Sequence, residues 1–314
     1  MSAITNAGFK WGENLSWAKA NVFHGRNSLV YGLSATTLGC IKTLINEDSF
    51  SYKTLDLFQS TFLGLRSNQQ YSIYSRKKDD DLGFDEVHRP HAANIGELAC
   101  FIEKKINPIA LPLTTALGNE VKESYHLIAH LANALWWRSR LFSQKISWKL
   151  FKHIPRLFQQ LINSTNKNLV TNQISEIVSP SLGLIGFAFC GLFTPIKSWL
   201  KFKGTENKII DSLASVGTAT QHLIYFFKFT LPQIFHFQEN NKYEHKKLFN
   251  MGICANALNI GLPIIDLLSF ENGFLNKAQR LYKELASGFT MAFFSSRRYF
   301  MGKAWVDGNN NPSL

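Results

Sequence analysis

No charged side chain falls between Val178 and Ile196, nineteen residues reading VSPSLGLIGFAFCGLFTPI. A run that long has two homes, a bilayer or the interior of a helical protein. As a helix it covers about 28 Å, close to a hydrocarbon core of ~30 Å. Gly183, Gly186 and Gly191 weaken it as a helix in water, and Pro195 sits near its end. In lipid the same small residues let helices approach closely. The other uncharged runs weighed beside it are shorter: sixteen residues between Asp211 and Lys228, fourteen over 124–137 and twelve over 285–296. Runs of about 10–14 residues belong to core, re-entrant or interfacial helices more often than to spans. The segment 54–75 carries Asp56 and Arg66 and is not expected to face lipid.

The fold class read from the chain is all-α. Strict alternation is rare, whereas apolar residues recur three and four apart, as in Leu127, Leu131, Ala134, Leu135 and in Leu281, Leu285, Phe289. Four regions repeat one plan: a small-residue apolar helix, a polar turn, then a second helix ending in aromatic and basic residues. The first passes through INEDSFSYK, the second through GNEVKES, the third from Val178 through KSWLKFKGTENK, and the fourth through SFENGF. LASVGT at 213–218 and LASGFT at 285–290 hold the same place in the plan, as do Leu111-Pro112 and Leu262-Pro263. The expectation is a multi-helix bundle of about four hairpins: two in an N-terminal half, 1–161, and two in a C-terminal half, 177–305. A charged loop over 76–97 and a polar connector over 162–176 separate them, and a disordered tail is expected over 306–314.

Charge says where such hairpins would sit. Of the 314 residues 18% are charged, below the ~25% of ordinary soluble domains, yet the net charge is +12. A surplus of that sign attracts anionic lipid head groups or nucleic acid. The first two turns are net acidic through Glu47, Asp48, Glu120 and Glu123, and residues 266–276 hold Asp266 and Glu271. The helix ends away from the turns are basic, and the third turn breaks the pattern at +3. If the hairpins enter a bilayer, most basic ends fall on one side, as the positive-inside rule requires. Trp136, Trp137, Arg138, Arg140, Lys145, Lys149, Arg297 and Arg298 are therefore the candidate interfacial, anion-binding residues. The helix 144–161, mixing Trp148 and Phe151 with Lys149 and Lys152, suits the head-group plane or the surface of a soluble core.

Chemistry is thinly represented. Glu123, His126 and His130 share a helical face at the spacing of di-iron carboxylate bundles, but the second Glu-x-x-His and the further acids such a site needs are missing. His88 and His91 sit in a charged loop without a partner constellation. Phosphate-cradling loops, HExxH and GxSxG are absent, so no cofactor and no catalytic residue is read. The four cysteines stand apart, with no CxxC pair, and read as reduced buried thiols. Lys10, Glu13 and Lys19 interrupt the N-terminal stretch, so a secretory signal peptide is not expected. Helix-turn-helix, RRM and zinc-finger patterns are also absent, which sets nucleic acid behind lipid as the partner. The leading expectation is a membrane-associated helical protein with a structural, channel-like or organising role. A soluble all-α scaffold that engages protein partners is the alternative, and a metal enzyme using the His126 and His130 face is the third.

Overall fold

The computed structural model describes residues 2–71, 98, 101–143, 186, 188–225, 243–268 and 273–310, and the regular structure among them is helical throughout. Helix α1 is Ser2–Lys42 and α2 is Phe50–Tyr71. A π-helical turn, Ile102–Ile106, runs into α3, Asn107–Leu117, which is followed by α4, Asn119–Ser143. Helical residues 188–202 form α5, and then come α6, Lys208–Tyr225, α7, Tyr243–Leu268, and α8, Gly273–Asn310. The described part is the all-α bundle the sequence implied. Helix α8 continues to Asn310, into the segment read as a tail. The loop 76–97, the helix 144–161 and the connector 162–176 lie outside the described residues, as does 178–185 at the start of the long uncharged stretch.

The three hairpin turns among the described residues are written in local chemistry. Ser49 caps α2, its hydroxyl accepting the Tyr52 N–H at 3.1 Å. Gly118, with φ of 113°, breaks α3 from α4. Helix α5 closes in a Schellman motif: Gly204, at φ 69°, donates to Lys201 O, and Thr205 donates to Leu200 O. Three residues later Asn207 Oδ1 accepts the N–H groups of Ile209 and Ile210 at 3.0 and 3.2 Å, which starts α6. Gly204→Ala and Asn207→Ala are each expected to cost about 1 kcal/mol, read from thermal unfolding of the purified chain.

The helices pair as antiparallel hairpins and then close on themselves. Contacts run from α1 to α2, α2 to α3, α3 to α4, α6 to α7 and α7 to α8, and α8 packs along the length of α1. Lys201 reaches Glu123 at 3.6 Å, linking α5 to α4. A Cβ built on Gly217 would lie 2.7 Å from Cys190 N, so α6 lies against α5.

The seam between α1 and α8 explains the closure. Ala18, Asn21, Gly25, Ser28, Gly32, Ala35 and Gly39 are spaced alternately three and four apart, a heptad rhythm carried by small residues. All seven are buried. A Cβ on Gly25 would lie 2.7 Å from Tyr299 N, and one on Gly302 would lie 2.6 Å from Ala18 O. Backbones therefore touch, and Ser28 and Ser295 share a hydrogen bond of 2.9 Å across the seam.

Candidate functional site

Among the described residues the interior is rich in small and polar side chains, and many large apolar ones face outward. The buried apolar residues among those described are mostly alanine, joined by Cys190, Met291 and Phe293. Beside them, Asn21, Gln59, Asn107, His222, Asn256, Asn259 and Asp266 are buried, along with many serines and threonines. Large apolar side chains point outward instead: Ile109 is 67% exposed, Ile128 62% and Ile264 60%, against 2% for Asn259. They form stripes, Ile109, Leu113 and Leu117 on α3, Ile128, Leu131 and Leu135 on α4, and Ile253, Ile260, Ile264 and Leu267 on α7. In water, burial selects Leu, Ile and Val and leaves amides and hydroxyls outside. Here the inner faces are small and polar and the outer faces greasy.

Along the bundle axis the charges segregate. At the end that holds the hairpin turns, Asp56 bridges two lysines: Lys42 Nζ lies 2.5 Å from Oδ1 and Lys122 Nζ 2.5 Å from Oδ2. Burial by itself raises the Asp56 carboxyl pKa, but the two ammonium groups outweigh it and hold the group below its usual range. Next to it Gln59 Nε2 donates to Glu284 Oε2 at 3.0 Å, and Gly39 leaves room for that carboxylate. Arg280 with Glu47, Lys283 with Asp266, and Lys197 with Asp211 add ion pairs at the same end. Beyond this charged storey the chain is neutral over 27–41 in α1, 124–137 in α4, 248–265 in α7 and 285–296 in α8, with Arg66 of α2 lying beside Gly32 and Met291.

Among the described residues, one connected polar group in the neutral zone centres on Thr290. Thr290 donates to Ala286 O at 2.8 Å and accepts from Asn259 Nδ2 at 2.8 Å, while His222 Nε2 lies 3.2 Å from the same hydroxyl. Among the described residues, buried His222 Nδ1 has no hydrogen-bond partner, nor does Asn256 Oδ1 one turn before Asn259. Low dielectric strengthens such networks and fixes the helices in one register.

The sequence-derived candidates fall unevenly. Trp136, Trp137, Arg138 and Arg140 lie in the C-terminal half of α4, where the backbone is described and those side chains are not. Lys145 and Lys149 lie outside the described residues. Arg297 and Arg298 are half-buried on α8, some twenty-five residues from its start at the turn end. His126 and His130 stand with ring centroids 6.1 Å apart, while Glu123 is engaged by Lys201. Among the described residues no three His, Cys, Asp or Glu side chains converge to hold a metal. Of the cysteines read as buried thiols, Cys190 is buried and Cys40 half-buried, but Cys254 is exposed on α7, because its helix turns that face outward.

One described helix segment, Asn250–Leu268, is long and apolar enough to cross a membrane, with a mean hydropathy of 1.6. Only 28% of it is buried within the bundle, whereas a soluble core helix would be mostly covered. The uncharged runs weighed above do not include it, although the fourth region of the repeated plan opens here. The signal was the eighteen uncharged residues between Lys247 and Asp266. No family model, curated protein or solved structure matches the chain.

Proposed function

We propose that the protein is a membrane-embedded helical bundle with a structural or organising role, its inner faces lined by polar groups in the manner of a channel. One observation carries this reading: amides, hydroxyls and an imidazole are buried in the neutral zone while Leu and Ile stripes face outward. In hydrocarbon an outward Leu costs nothing, and a buried amide paired with a neighbour replaces the water it lacks. Asn250–Leu268 is the span this reading assigns among the described residues. The charged storey at the turns then sits at the water boundary, where Lys203 lies 5.0 Å from the centroid of the exposed Trp199 ring. Carbonate extraction of membranes carrying the chain tests it: the protein is expected in the pellet, and quantitative release into the supernatant would sink the idea.

A second reading, a soluble all-α scaffold, has one observation in its favour. The neutral runs in α4 and α8 are fourteen and twelve residues, shorter than a full span. In that case the outward stripes would be protein interfaces, and the purified chain would stay monodisperse without detergent only with its partner bound.

A further inference from the structure

Away from the hairpin turns, the helix register gathers basic residues that are far apart in sequence. Gly302 against Ala18 and Gly25 against Tyr299 bring 18–26 of α1 alongside 295–303 of α8. His24 Nδ1 hydrogen-bonds with Gln69 at 2.6 Å, and Asn68 Nδ2 donates to Lys104 O at 2.8 Å, which brings the end of α2 and the π-helical turn to the same level. Lys19, Arg26, Lys104, Lys105, Arg297 and Arg298 thereby share one end of the bundle. Across the described stretches 19–28, 67–71, 101–106 and 297–303 there are seven Lys and Arg residues and a single acid, Glu103. At the opposite end, acids and bases nearly balance and pair with one another.

We propose that this basic end is a seat for the phosphate head groups of anionic phospholipid, and that it fixes which way the bundle faces; the inference rests on the membrane reading above. Each lysine or arginine near an anionic surface contributes about a fivefold gain in binding, the equivalent of ~1 kcal/mol. Phe23, 61% exposed on α1 between Lys19 and Arg26, places a ring among the charges, as interfacial anchors do. Below it the exposed Val30 and Leu33 continue the apolar wall, so head group and acyl chain meet matching surfaces along one helix.

The test uses the full chain in neutral detergent, titrated with short-chain phosphatidylglycerol or phosphatidylcholine and read by native mass spectrometry. Phosphatidylglycerol is expected to bind at least about tenfold more tightly, since two or more charges contribute. Lys19, Arg26 and Lys105 are exposed, so the triple change K19Q/R26Q/K105Q should fold and lose about fivefold per charge. The control K53Q/K203Q/K277Q, at the turn end, should lose nothing. Equal binding of the two lipids, or an equal loss in the control, overturns the proposal. So does a single-stranded oligonucleotide that binds more tightly and displaces the lipid. The two readings fail separately. A chain released by carbonate that still prefers phosphatidylglycerol removes the embedded reading alone, and an embedded chain without that preference removes this one.

Discussion

Asp56→Ala is expected to cost about 3–5 kcal/mol, because it leaves the Lys42 and Lys122 ammonium groups together without their shared counter-ion. The three side chains come from α1, α2 and α4, so the loss should loosen both N-terminal hairpins at once. The companion change D56A/K122M removes one of the two orphaned charges and should recover a large part of the loss. Guanidinium unfolding in neutral detergent, followed by helical circular dichroism, measures both. A loss under about 1 kcal/mol for D56A would show that the storey is solvated rather than locked, as exposed pairs are. The same residue sets an acid limit. Its folded pKa lies below the usual 3.8, so the unfolded chain binds the proton first as pH falls. The stabilisation is complete above the unfolded pKa and is lost as pH drops through the folded one. Wild type should therefore lose stability below about pH 4 more steeply than D56A.

The second large effect belongs to the seam. A side chain at Gly25 would meet Tyr299 N at 2.7 Å and Ser295 O at 3.0 Å, both main-chain atoms of α8. No rotamer change relieves a clash with backbone, so α8 must move away from α1. Gly25→Ala is expected to cost about 1–3 kcal/mol, and Gly25→Leu more, to the point of losing the folded bundle. Gly302, facing Ala18 O and Val22 N in the same way, should behave alike. Val30→Leu, on the exposed side of the same helix, is the matched control and should be neutral. If Gly25→Leu melts with wild type, α1 and α8 do not meet as described.

These two sites show why some of the fold was legible in the sequence and some was not. Turns were legible because their chemistry is local: Ser49, Gly118, Gly204 and Asn207 each act within four residues. The expectation of four hairpins rests on the repeated plan of apolar helix, polar turn and second helix. Which helix face points inward was not legible from apolar periodicity, since periodicity marks a stripe without saying what covers it. Leu131 and Leu135 recur like core residues and are exposed, while Ala134 between them is buried. The seam over 18–39 has a regular rhythm, but it is written in Gly, Ser, Ala and Asn, which a search for hydrophobic positions skips. Asp56 looked like a reason to keep α2 from lipid. Its meaning required Lys122, sixty-six residues away, a pairing no local pattern encodes.

The most direct measurement is the environment of the outward stripes. Spin labels on single cysteines at Ile253, Ile260 and Leu131, with Asn259 as the buried reference, can be read in vesicles for collision with oxygen and with a water-soluble nickel chelate. High oxygen and low nickel accessibility at the three outward positions is expected, with both low at Asn259. High nickel accessibility at Ile253, Ile260 and Leu131 would place those faces in water and contradict a bundle that turns its apolar side to lipid.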